Sequence, residues 1–139
     1  MSGTDPLQHF IDAQDPIYRQ VLLELGHARK TSHWMWFVFP QIAGLGFSPT
    51  AQRFALASLA EASAYAGHPV LGRRLLECTA LVNQAEGRTI HEIFGSPDDL
   101  KFRSSMTLFA RAAPAEPLFE QALARYFGGV LDQATLDRL

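Results

Sequence analysis

The sequence predicts an all-α fold, a compact single domain of about eight short helices without a sheet. Three observations predict it. Prolines preceded by capping side chains punctuate the chain, apolar residues between them recur every three or four positions, and no alternating strand pattern or Asn-Gly hairpin is present. With 139 residues the chain can bury its own core, so we expect residues 1–139 to form one helical domain, with residues 1–4 flexible.

Helix starts are marked by an oxygen-bearing side chain directly before proline, because proline lacks the N–H that would have no partner there. The strong pairs are Asp5-Pro6, Asp15-Pro16, Ser48-Pro49 and Ser96-Pro97. Capping-box spacings occur at Ser58/Glu61 and Thr89/Glu92. Glycines that favour a helix stop follow the periodic runs at positions 26, 87, 95 and 128.

Between these signals the apolar residues form stripes with helical spacing, which predicts the buried face of each helix. In chain order the stripes are Ile17/Val21/Leu25, Leu71/Leu75/Cys78, Phe102/Met106/Phe109 and Phe119/Ala122/Leu123/Tyr126. Cys78 is therefore expected to be a small core residue. Arg73 and Arg74 are expected on a solvated face, and the short helix after Asp132 is expected to dock weakly.

One segment, Trp34 to Phe39, is apolar throughout and fits either a buried strand or a buried helix. A strand needs a partner, and no other segment offers one. We therefore predict a short, largely buried helix at about residues 33–38, capped by Thr31 or Ser32 and ended by Pro40.

Composition and motifs exclude several classes of function. The net charge of −2 and the lack of a Lys/Arg block disfavour nucleic-acid binding. The longest apolar run is too short to span a membrane, the start of the chain is polar, and a single cysteine fits a reducing cytoplasm. No phosphate loop, dinucleotide fingerprint or metal-ligand spacing is complete, so we expect no cofactor and no metal.

Two groups of polar residues remain as candidates for a site. The first surrounds the two tryptophans: Lys30, Ser32, His33, Trp34, Trp36 and Gln41. On a helix His33 would share a face with Trp36, and a histidine there could act as acid, base or donor. The alternative is that His33 only braces an aromatic core. For the tryptophans, too, core packing is a sufficient explanation.

The second group lies in the segment opened by Pro97: Asp98, Asp99, Lys101, Arg103, Ser104, Ser105 and Thr107. Asp98 and Asp99 complement the helix dipole without a functional role. Ser104 interrupts an apolar face, and hydroxyls inside a helix are mediocre helix formers. Ser104 either allows close packing against a bulky neighbour such as Trp36 or lines a pocket with Ser105 beneath Lys101.

The residues support two hypotheses of different class. The first is a pocket for a polar or anionic small molecule near Lys30–Gln41, formed by Lys30, His33, Trp34, Trp36, Gln41, Lys101, Ser104 and Ser105. Any catalysis would use His33 as acid/base and Lys101 as anion stabiliser, which requires one cavity between them. The alternative is a protein-interaction or homo-oligomerisation module without catalysis, with Phe47, Tyr65 and Phe127 as contacts.

Three blocks of the chain also resemble a known family. They are KTSHWMWFVFPQIAGLGFSPTA at residues 30–51, EASAYAGHPVLGRRLLE at 61–77 and IFGSPDDLKFRSSMTLF at 93–109. Together they resemble the domain-of-unknown-function 1810 family over about residues 5 to 139. The resemblance implies a compact all-helical domain and no established reaction. Members often carry the label "calpastatin", but that inhibitor type uses disordered repeats, whereas this chain is 47% hydrophobic.

Overall fold

Helices account for the regular structure of the chain. The structure, a computed structural model, describes residues 5–139. Over that range it contains ten helices: α1 (Gln8–Gln14), α2 (Tyr18–Gly26), α3 (Met35–Val38), α4 (Pro49–Arg53), α5 (Leu59–Gly67), α6 (Leu71–Gln84), α7 (Ile90–Phe94), α8 (Asp98–Ala112), α9 (Leu118–Phe127) and α10 (Gln133–Leu136). The predicted all-α class is confirmed. The expected flexibility of residues 1–4 lies outside the described residues.

The number of helices exceeds the predicted eight because several segments form only one turn each. Helices α3 and α10 have four residues, and α4 and α7 have five. Among residues 5–139 no strand forms, and a single bridge joins Ile42 to Leu56. In the same range no helix is long and apolar enough to cross a membrane.

Helix α8 lies at the centre of the molecule. It packs against α5, α7, α9 and α10, and it buries residues on nearly all sides, from Phe102 to Ala110. Phe102 contacts Phe39 edge-on, with 5.0 Å between ring centroids, and stacks on Phe94 at the same separation. These aromatic pairs connect the segment around α3 to α7 and α8. Because α8 is surrounded in this way, several of its polar side chains are buried: Ser104, Ser105 and Thr107.

Three of the capping predictions for helix starts, those at Ser48, Ser58 and Thr89, are confirmed. Ser48 and Ser58 each accept a hydrogen bond from the backbone N–H three residues on, and Thr89 and Glu92 form a complete capping box. The pairs Asp5-Pro6, Asp15-Pro16 and Ser96-Pro97 precede helices as predicted, but their caps are wrong, because α1, α2 and α8 begin one or two residues later without a side-chain cap. Cys78 is buried as expected. Arg74 is not on a solvated face: it pairs with Asp15 at 2.8 Å and lies over Tyr18.

Candidate functional site

The two polar groups of the sequence meet at Asp98, in the first turn of α8. Lys30 Nζ lies 2.8 Å from Asp98 Oδ2, and Lys101 Nζ lies 3.5 Å from Asp98 Oδ1. The Lys30 side chain is only 7% exposed, whereas that of Lys101 is 27% exposed. Because two ammonium groups share one carboxylate, the cluster has an excess of one positive charge, located on its more exposed side at Lys101.

Each lysine of this cluster also lies over a tryptophan ring. Lys30 Nζ is 5.2 Å from the ring centroid of Trp34, and Lys101 Nζ is 4.7 Å from that of Trp36. Trp34 is fully buried, but Trp36 remains partly exposed. The negative ring face stabilises each ammonium group and restrains its position. The Lys101–Trp36 pair is therefore a cation held in place at the surface, and the Lys30–Trp34 pair belongs to the core.

A surface groove of about 420 Å³ lies beside the Lys101–Trp36 pair. Its walls come from the segment after α3, from the first half of α8 and from α10. The residues lining it are Trp36, Gln41, Leu45, Gly46, Phe47, Ser48, Ala51, Pro97, Leu100, Lys101, Ser104, Asp132 and Ala134. A smaller hollow adjoins it and shares Trp36, Gln41 and Lys101. Mostly apolar walls with a few polar groups are typical of ligand sites.

Ser104 links α8 to the C-terminal segment. Its hydroxyl donates to Asp132 Oδ2 at 2.8 Å, and the same oxygen accepts from the Thr135 hydroxyl at 2.6 Å. In the next turn of α8, Thr107 Oγ1 accepts from the Asp132 N–H at 2.9 Å. The hydroxyls inside α8 therefore anchor Asp132 and α10. The expectation of weak docking for this last helix is not supported.

Gly44, which precedes the groove-lining residues Leu45 and Gly46, lies against Arg138. Gly44 has φ +98°, and its missing side chain leaves room for the Arg138 guanidinium, which would lie 2.2 Å from a Cβ at this position. Any other residue would be strained by the backbone angle, and the exposed Arg138 side chain would have to move to admit it. The glycine loop and the end of the chain are thus packed directly against each other.

Contacts with Glu24 explain the roles of Ser32 and Trp34, which the sequence alone did not determine. The buried Glu24 carboxylate accepts from the Trp34 indole N–H at 3.0 Å, the Ser32 hydroxyl at 2.6 Å and the Thr31 N–H at 2.7 Å. Burial acts to raise the pKa of Glu24, but hydrogen bonds from Ser32 and Thr31 outweigh it and lower the pKa to about 2. Because this network orders residues 31–34, α3 begins at Met35, not near His33.

The remaining predicted site residues lie apart from the groove. His33 is exposed, and it is not among the residues that line the groove with Lys101. Ser105 is fully buried, and within residues 5–139 its hydroxyl has no hydrogen-bond partner. The structure thus places Trp36, Gln41, Lys101 and Ser104 together, Lys30 and Trp34 behind them in the core, and His33 and Ser105 elsewhere.

Sequence reasoning missed two residues that organise this region, Glu24 and Asp132. Glu24 falls on the same helix face as Val21 and Leu25, and a carboxylate on a buried stripe is a detectable signal. Asp132 was recognised only as the residue before the last helix. It caps α10 by accepting a hydrogen bond from the Thr135 N–H at 3.3 Å. Its bond to Ser104 joins distant parts of the chain and has no local signature.

Metal binding gains no support from the described part of the chain. In residues 5–139 no three His, Cys, Asp or Glu side chains lie close enough together to hold a metal ion. The side chains that line the groove offer one ammonium, one carboxylate, one amide, two hydroxyls and apolar walls.

Comparisons with known proteins agree with this fold. A conserved hypothetical protein from Mycobacterium tuberculosis, known from a crystal structure, is 58% identical to this chain; the match has a TM-score of 0.96 and covers 97% of this chain and 98% of that chain. No curated protein matches. The family model described as "Protein of unknown function (DUF1810)" matches residues 4–139. This chain therefore belongs to the DUF1810 family, whose description leaves the activity open.

Proposed function

We propose that the protein binds a small organic anion in the groove beside Trp36 and Lys101. The observation that carries this proposal is the excess positive charge at Lys101, since Asp98 is already engaged by Lys30 at 2.8 Å. A partly exposed ammonium next to apolar walls favours a ligand that combines a carboxylate or similar anion with an apolar body.

The shape of the groove supports the same ligand class. Trp36, Leu45, Phe47 and Leu100 supply apolar surface, and Gln41 supplies an amide that can donate or accept. Phe47 is 81% exposed and Leu100 is 58% exposed, so a bound apolar body would cover surface that now faces water. The proposal needs no role for His33 and includes no reaction.

The interaction-module alternative has less support. Of its three predicted contacts, Phe47 is exposed, but Tyr65 is fully buried and its hydroxyl donates to the Phe37 carbonyl at 3.2 Å. Phe127 is packed against the core.

We further propose a cytoplasmic location and one domain, supported by the buried lone cysteine and by a core cluster that draws residues from α1 to α9.

Indole signals in a ¹H–¹⁵N NMR spectrum test the binding proposal. The chain has two tryptophans: the Trp36 side chain lines the groove, and the Trp34 side chain is fully buried and bound to Glu24. Titration with 3-phenylpropanoate should shift the Trp36 signal to saturation and leave Trp34 unchanged. The neutral analogue 3-phenylpropanamide should bind roughly threefold to tenfold more weakly, because it lacks the charge that Lys101 attracts.

Three variants sharpen this test. Lys101→Met should remove the preference for the acid over the amide, whereas Arg73→Met, at an exposed position on α6, should keep it. The Trp36→Phe variant assigns the two indole signals. A Trp36 signal that does not move with either compound, or an equal response to both in the wild type, would refute the proposal.

A further inference from the structure

The groove contains a second charge, of opposite sign to Lys101. Asp132 lines the same groove, at the start of α10. Among the described residues no ion pair joins Lys101 to Asp132; the carboxylate in contact with Lys101 is that of Asp98, at 3.5 Å. A cation and a carboxylate therefore face one groove without neutralising each other directly.

The Asp132 carboxylate uses one of its two oxygens inside the protein. Oδ2 accepts from the Ser104 hydroxyl at 2.8 Å, the Thr135 hydroxyl at 2.6 Å and the Thr135 N–H at 3.3 Å. Within residues 5–139 every side-chain hydrogen bond to this carboxylate goes to Oδ2, and none goes to Oδ1. The bonds to Oδ2 fix the carboxylate, and Oδ1 retains its full capacity to accept from a ligand.

Lys101 and Asp132 both line this groove, and Ser104 lies between them in sequence and contact. Lys101 and Ser104 are three residues apart on α8, so their side chains are surface neighbours, with about 5–6 Å between Cβ atoms. Ser104 is in turn hydrogen-bonded to Asp132. A small molecule seated in the groove therefore meets both an ammonium group and a carboxylate.

We propose that the ligand is a small amino acid–like zwitterion, with its carboxylate on Lys101 and its ammonium on Oδ1 of Asp132. Its apolar side group would lie against Trp36 and Leu100, which line the same groove. The inference rests on the proposed function and narrows it, because a plain organic anion would meet the charge of Asp132 without a compensating group. An ammonium donor removes that repulsion and adds a charge-assisted hydrogen bond.

Three compounds with the same phenyl-ethyl body separate these contributions: L-phenylalanine, 3-phenylpropanoate and phenethylamine. Each is titrated into the full chain while the Trp36 indole signal is followed. Phenylalanine should saturate the signal at roughly tenfold lower concentration than either singly charged compound, which corresponds to one charged hydrogen bond.

The Asp132→Asn variant should reverse this order. Asn remains a good helix cap, so α10 should stay in place, but its amide presents a donor or a neutral oxygen where the ammonium would bind. Phenylalanine should then bind about tenfold more weakly than to the wild type, and 3-phenylpropanoate more tightly, because the repelling charge is gone. Asp137→Asn, the same substitution at an exposed position outside the groove lining, serves as the matched control.

The outcomes separate the two proposals. If 3-phenylpropanoate binds wild type as tightly as phenylalanine does, or if Asp132→Asn keeps the preference for phenylalanine, the zwitterion inference is overturned and the anion site stands. If neither carboxylate-bearing compound shifts the Trp36 signal, both proposals fail. Loss of phenylalanine binding in both Lys101→Met and Asp132→Asn is the result that supports the inference.

Discussion

Glu24 shows how one residue sets the local structure around the tryptophans. Its carboxylate is buried, yet it receives hydrogen bonds from Gln20, Thr31, Ser32 and Trp34. A buried charge is tolerated when donors surround it in this way. Trp34 is thereby fixed with its ring under Lys30. The tryptophan next to the groove, Trp36, is left to pair with Lys101.

We expect Glu24→Gln to destabilise the protein by about 2–3 kcal/mol. The amide has nearly the same shape, but it loses the charge and points an NH₂ group at neighbouring donors. Urea unfolding followed by tryptophan fluorescence measures the change. Glu86→Gln, at an exposed position after α6, is the control and should stay within about 0.5 kcal/mol of the wild type. An equal effect of both variants would contradict the role assigned to the network.

At the scale of helices, the contact between α5 and α6 depends on Gly72. A Cβ at this position would lie 2.1 Å from the Ala66 carbonyl oxygen, which is backbone and cannot rotate away. A Cβ at Gly67, the last residue of α5, would have no neighbouring heavy atom within 4 Å. Two helical glycines a few residues apart therefore have different reasons to be glycine.

We expect Gly72→Ala to destabilise the protein by about 1–3 kcal/mol, because the helices must separate to admit the methyl group. Helix propensity alone would give the opposite sign, a gain of up to about 1 kcal/mol. Gly67→Ala, the matched control, should be neutral or slightly stabilising. Thermal unfolding followed by circular dichroism distinguishes the two. A stabilising effect at Gly72 would show that the α5–α6 contact is looser than the structure indicates.

For the whole molecule, the predictions that proved correct depend on contacts between residues close in the sequence. The caps at Ser58 and Thr89 act over three residues, and the buried stripe from Phe102 to Phe109 follows from helical spacing. The start of α3 could not be predicted, since it depends on Glu24 in another helix. The sequence grouped Trp36, Gln41, Lys101 and Ser104 in one pocket. It could not predict the place of Asp132 in the groove or of Asp98 beside Lys30, because the pairs Lys30–Asp98 and Ser104–Asp132 join segments far apart in the chain.

Hydrogen bonds to three other carboxyl groups give the folded protein a definite response to acid. Three carboxyl groups have a lowered pKa in the folded state. The Leu7 N–H and the His68 side chain lower the pKa of Asp5, and the Thr89 N–H and hydroxyl lower that of Glu92. For Glu24, hydrogen bonds outweigh the effect of burial and lower the pKa from 4.5 to about 2. Folding therefore favours the charged form of all three groups.

A carboxyl group whose pKa is lower in the folded than in the unfolded state stabilises the protein at pH values above its unfolded-state pKa. This stabilisation is lost as the pH falls through the folded-state pKa. For Glu24 this means that the contribution is complete above a pH of about 5, declines below 4.5 and is lost near 2. The urea midpoint should accordingly fall from pH 5 to pH 3 by an amount that exceeds any change between pH 7 and pH 5. Glu24→Gln should show a smaller acid decrease than the wild type, since it has no proton to take up at this position. An acid decrease of the same size in the variant would assign the response to other groups.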